Sequence, residues 1–131
     1  MRNTSISMFM LALFSFAADA ATSIAIDPQK NCVSAAIADT LAGTPVKFTL
    51  EQGRYVFSLV SNSMNCDATP NKCIIDSVLL QGGFKTTRWG GVVTSTPTVV
   101  DTTGLPFIAY VSDDNCYDNI GKATLLIQKA E

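Results

Sequence analysis

Four cysteines and no histidine constrain this chain of 131 residues more than any other feature. An even number of cysteines reads as a disulfide framework only in an oxidising compartment, and the amino terminus supplies the reason to expect one. Arg2 gives a positive start, Ile6–Ala17 is an apolar stretch, and Ala18-Asp19-Ala20 closes it with small residues, which is the pattern of a secretory signal peptide. The stretch is shorter than the roughly 20 apolar residues of a membrane-spanning helix, and no later stretch of the sequence reaches that length. The expectation is a signal peptide over residues 1–20 and a single domain over residues 21–131, secreted to an extracellular or periplasmic space and not inserted in a membrane.

Cys32, Cys66, Cys73 and Cys116 allow three pairings. Cys66 and Cys73 bracket the short loop DATPNK and form the natural local pair, which leaves Cys32 to reach Cys116. A bridge closing so long a loop is worth roughly 4 kcal/mol in the chain-entropy account. Zinc is a poor alternative, because its sites favour paired short spacings or histidine partners. Lack of histidine also removes the side chain that most often moves protons near neutral pH, so no enzyme is expected. Nine basic against eleven acidic residues, spread along the chain, leave no basic patch for nucleic acid or anionic lipid.

Most of the remaining chain alternates apolar and polar residues with period two, the signature of half-buried strands. Ser23–Asp27 is a short strand stopped by Pro28, and NCVSAAIADTLAG is read as extended although its alanines also permit a helix. Val46, Phe48 and Leu50 alternate with Lys47 and Thr49, and Tyr55, Phe57 and Leu59 alternate with Val56, Ser58 and Val60. Gly53 between them suggests a hairpin. IIDSVLL, Gly91–Thr94, Thr98–Asp101, Leu105–Val111 and Lys122–Lys129 follow, separated by Pro and Gly turns. Seven or eight short strands at this spacing predict an all-β, antiparallel, jelly-roll-like sandwich stapled by disulfides.

Between the last two strands lies SDDNCYDNIG, which packs Asp113, Asp114 and Asp118 with the amides of Asn115 and Asn119 around Cys116. Calcium collects about six to eight oxygens from carboxylates, amides and backbone carbonyls, so Asp113, Asp114, Asp118 and Asn119 are candidate metal ligands. The spacing is not that of an EF-hand, because Cys116 stands where an oxygen ligand belongs and no glutamate closes the loop. The alternative is a hairpin loop whose Asp, Asn and Gly serve only turn geometry.

FIAYVSDDNCYDNIGKATLLIQ, from Phe107 onward, resembles the carboxy-terminal calcium loop and last strand of the small galactose-specific bacterial lectins. An aspartate opens the loop in that family and a pair of amide-type residues precedes a small residue and a glycine; Asp113 or Asp114 is similar to the first, and Asp118-Asn119 before Ile120-Gly121 to the second. The close pair Cys66 and Cys73 before IIDSVLLQGG is similar to a cysteine pair preceding a strand there. The resemblance implies a calcium-dependent, jelly-roll-like carbohydrate-binding sandwich. It does not extend to the tyrosine that ligates calcium from an earlier loop or to a sugar-contacting histidine. The matching segment here is SNSMN, so Asn62 or Asn65 would have to replace the tyrosine, and galactose selectivity does not carry over.

Trp89, between Arg88 and Gly90-Gly91, is a second candidate, either a ring offered to a sugar face or a plug for the core. Tyr117 either lines a ligand groove or covers the disulfide at Cys116, and the second is favoured. Asp76 and Asp101 are not placed as a glycosidase pair, and Ser61 and Ser63 have no histidine to activate them. Together these residues suggest a secreted, non-catalytic, lectin-like protein whose partner is a carbohydrate or glycoconjugate and whose cofactor is calcium. A structural or adhesion protein without metal or sugar is the second reading.

Overall fold

Alternation of apolar and polar side chains becomes two facing sheets in the computed structural model, which describes residues 20–34, 43–86 and 88–130. The expected leader (apart from Ala20) and residues 35–42 of the alanine-rich stretch lie outside the described residues. The strands are β1 (Thr22–Ile26), β2 (Cys32–Ser34), β3 (Val46–Thr49), β4 (Gly53–Val60), β5 (Val78–Gly82), β6 (Trp89–Val93), β7 (Thr98–Thr102), β8 (Pro106–Asp113) and β9 (Ala123–Ala130). The first sheet runs β1-β9-β4-β7 and the second β2-β8-β5-β6, with β3 also on β8. No helix occurs among the described residues, and none is long and apolar enough to cross a membrane.

Each long strand sends every second side chain inward. Tyr55, Phe57 and Leu59 of β4, Phe107, Ala109 and Val111 of β8, and Ala123, Leu125 and Ile127 of β9 are all buried, as the pleat requires. Phe48 and Phe107 stack with ring centroids 5.3 Å apart, and Phe57 lies 6.0 Å from Phe107, so aromatic rings fill the middle of the sandwich.

Two expectations need correction. Residues 46–60 are not a hairpin, since β3 pairs with β8 in one sheet while β4 pairs with β7 and β9 in the other. Gly53, with φ of 157°, serves a corner between sheets. The acidic loop likewise joins strands of different sheets, β8 and β9, so it spans one end of the sandwich instead of closing a hairpin. Strand β5 begins at Val78, four residues later than IIDSVLL suggests; Ile74 makes only an isolated bridge to Asn65, and Asp76 is exposed.

β8 holds two partners end to end on one edge. β3 covers Pro106–Ala109 antiparallel, and β2 covers Val111–Asp113 parallel. This register places Cys32 opposite Val111, beside the start of the acidic loop, and the Cys32–Cys116 disulfide forms there. Cys66 pairs with Cys73, as the spacing suggests.

Candidate functional site

Three segments meet at the disulfide-bearing end: the turn after β1, the Cys66–Cys73 loop and the acidic loop. Asx chemistry builds the first. Asp27 Oδ1 accepts the amides of Gln29 (3.0 Å) and Lys30 (3.1 Å), while Asn31 Oδ1 accepts the amide of Asp27 (2.9 Å). Asn65 organises the second. Its Oδ1 accepts the Cys73 amide at 3.0 Å, and its Nδ2 donates to the carbonyls of Asp67 (2.6 Å) and Thr69 (2.7 Å). The Asn65 backbone exchanges hydrogen bonds with Ile120, which seats the acidic loop beside it.

The acidic loop leans on the turn from the other side. Asn119 is 2% exposed, and its Nδ2 donates to the Pro28 carbonyl at 2.8 Å and lies 3.6 Å from Cys32 Sγ. Gln29 Nε2 donates to the Tyr117 carbonyl at 2.6 Å, and Ser34 Oγ to the Asp114 carbonyl at 3.3 Å. Within the loop the Asp114 amide donates to Asp113 Oδ1 at 2.7 Å, and the Tyr117 amide to Asn115 Oδ1 at 3.3 Å.

Against this well-connected background, the buried side-chain oxygens left without a donor among the described residues are Asp113 Oδ2, Asp118 Oδ1 and Asn119 Oδ1. A buried acceptor left unsatisfied costs on the order of 1–3 kcal/mol, and more when charged. Burial pushes the Asp113 carboxyl above the usual carboxylate range, and the Asp114 carboxylate beside it adds to the rise.

The other expected site residues separate from these three. Asp114 and Asn115 are exposed. Tyr117 is 58% exposed, against the expectation that it covers the disulfide; the amide of Asn119 lies against Cys32 Sγ instead. Asn65 has both ends of its amide committed, and Asn62 bonds the Met64 amide and the Ile75 carbonyl, so both already serve the loop they sit in. Ser63 Oγ exchanges hydrogen bonds with the Lys122 backbone. Asp101 makes a two-pronged pair with Arg54, at 2.8 and 3.1 Å, which holds its carboxyl low.

Trp89 belongs to the opposite end. It opens β6, pairs with Gly82, and Gly82 pairs with Phe107, so it sits roughly 20 Å along β8 from Asp113. Its ring meets Phe107 edge-on at 5.6 Å and covers Gly82, where a Cβ would lie 2.7 Å from the ring. With 36% of its surface exposed, it is mainly a plug that keeps one rim open to solvent.

Among the described residues no three carboxylate, thiolate or imidazole groups gather to hold a metal by themselves. An ion at the acidic loop would therefore rely on amide and carbonyl oxygens as well as carboxylates. The structural roles of Asn65, Pro28 and Gln29 were missed in the sequence, where only the density of Asn, Asp and Pro around the cysteines signals side-chain-to-backbone bonding. Compared with protein-family models, with curated proteins and with solved structures, the chain gives no match, so its role is argued from its own geometry.

Proposed function

We propose that the protein is an exported, non-catalytic binding module that takes a carbohydrate or similar polyhydroxylated ligand through a calcium ion held by Asp113, Asp118 and Asn119. One observation carries this reading: among the described residues, the buried side-chain oxygens without a donor come from these three. Asp118 and Asn119, with Asp113 or Asp114, are also the residues that the lectin resemblance implies. Two carboxylates and an amide are hard oxygen ligands suited to calcium, and loop carbonyls would extend the set towards the usual six to eight. The ion would lend the site what its residues lack, a positive centre that neutralises the two carboxylates and binds a pair of neighbouring sugar hydroxyls. Asp114, Asn115 and the ring of Tyr117, all exposed beside the ligand set, are available to the rest of the sugar.

Thermal melts of the mature protein with calcium and with chelator test this. A single site at a hundredfold excess over its Kd adds about 2.7 kcal/mol, a rise of roughly 10 °C for a domain of this size. Asp118→Ala should abolish the rise while retaining the fold. Identical melts of the wild type in calcium and chelator would overturn the reading, and a glycan array with and without calcium then identifies the sugar class.

A second reading, a structural or adhesion module of the cell surface, draws on the opposite side of the molecule. There the edge strands β6 and β7 flank an apolar groove of about 330 Å³, with Val92 51% and Val99 59% exposed. Indifference to calcium and to every glycan would favour it.

A further inference from the structure

We propose that the amino-terminal turn and the Cys32–Cys116 disulfide are positioning elements for the cation loop, so that calcium binding and the state of this disulfide are coupled. This inference rests on the calcium reading above and adds a form of control that the reading does not contain.

Segment 27–34 grips the loop at four successive places. Asn119 donates to Pro28, Gln29 donates to Tyr117, Cys32 bonds covalently to Cys116, and Ser34 donates to Asp114. The segment is itself stiff. Besides the Asp27 and Asn31 side-chain bonds, the Asn31 amide donates to the Asp27 carbonyl, and the Asn31 carbonyl accepts the Val111 amide at 2.9 Å, which ties the turn to β8. The acidic loop has no comparable framework of its own, because its two short internal bonds come from the side chains of Asp113 and Asn115.

Asn119 shows how the grip selects a ligand oxygen. Its amide cannot flip without breaking the Nδ2 bond to Pro28 and placing two oxygens against each other, so the turn decides which way Oδ1 faces. Reduction of Cys32–Cys116 would release the centre of the four contacts. A dithiol does this by donating two electrons and two protons; the S–S bond breaks, two thiols form, and the reductant closes to its own cyclic disulfide. Cys32 and Cys116 are buried, at 0% and 1% exposure, so the reductant reaches their sulfurs only when the loop opens. An ion that holds the loop shut opposes that opening. Coupling of two binding events is reciprocal: what weakens calcium binding when the disulfide is broken must protect the disulfide when calcium is bound.

The test uses the mature oxidised protein and calcium itself as the probe. Calorimetric titration is run on wild type, on Gln29→Leu, which removes one exposed grip, and on Cys32→Ser/Cys116→Ser. Release of thiols by dithiothreitol is followed with calcium and with chelator in Cys66→Ser/Cys73→Ser, so that only the buried pair reports. Gln29→Leu should bind calcium about fivefold more weakly or worse, within the usual range of coupling, at an unchanged melting temperature in chelator. Thiol release should also slow when calcium is present, because the bound ion opposes the opening that admits the reductant to the buried pair. If the cysteine variants fail to fold, Gln29→Leu and thiol release from the wild type, its two pairs resolved by peptide mapping, still decide. Wild-type calcium binding with Gln29→Leu within twofold of it, and thiol release indifferent to calcium, would overturn this inference alone. No calcium binding by the wild type would overturn both it and the reading beneath it.

Discussion

Asn65 uses both ends of its amide to shape the Cys66–Cys73 loop, and it does so while 2% exposed. Asn65→Ala would strand the Cys73 amide and the carbonyls of Asp67 and Thr69, at a cost of about 3 kcal/mol; urea melts should show this with the disulfide still formed. Asn65→Asp keeps the acceptor but sets a buried carboxylate oxygen against the carbonyls of Asp67 and Thr69, so it should cost at least as much as Asn65→Ala. Asp113 sets a different dependence. Burial raises its folded pKa, so the folded state holds the proton more tightly than the unfolded chain does. Its contribution to the stability of the calcium-free protein is therefore fully present below the ordinary carboxylate pKa of about 4 and is lost as pH rises through the raised value. Asp67 and Asp101 behave oppositely: hydrogen bonds from Thr69 and Arg54 lower them, and their contributions are lost as pH falls through the lowered values. Urea midpoints in chelator between pH 3 and 7 should show a decline above pH 4 that Asp113→Asn removes and that calcium also removes.

Among the described strands, six of the eight connections change sheets, and only β5 and β6 form a hairpin. Period-two alternation looks the same whether the next strand pairs alongside or crosses over, because either way one face points into the core. That is why the strands themselves were legible in the sequence while the hairpin expected over residues 46–60 was not. A glycine at a crossing and one within a strand carry different burdens. Gly121, at φ of 84°, lies against the Ser63 carbonyl so closely that a Cβ would collide with backbone. Gly121→Ala should cost at least about 2 kcal/mol. Gly91, in edge strand β6, has its nearest obstacle 4.0 Å from the position a Cβ would take. Gly91→Ala should change stability by about 0.5 kcal/mol or less, and the contrast between the two melts checks the assignment.

Across the whole molecule, the two disulfides do unequal work. Cys32–Cys116 closes 84 residues and Cys66–Cys73 only 7. In the chain-entropy account the difference in loop length makes the long bridge worth about 2 kcal/mol more than the short one, so the paired serine variants should differ by that margin in denaturant. Residue order alone carried the all-β class and the alternating core residues, and it favoured the two disulfide pairs that form out of three possible pairings, because side-chain period and cysteine spacing are local properties that survive any arrangement of the strands. It also singled out Asp113, Asp118 and Asn119, whose residue types crowd one short loop. Strand placement in three dimensions was needed to show that Trp89 stands at the far end from that loop and that Asn65 is already committed to its own turn. It alone showed that Pro28 and Gln29, some 90 positions away in the chain, hold the loop in place. Contacts of that range depend on which sheet each strand joins, and pairing across a sandwich leaves no trace in the spacing of residues along it.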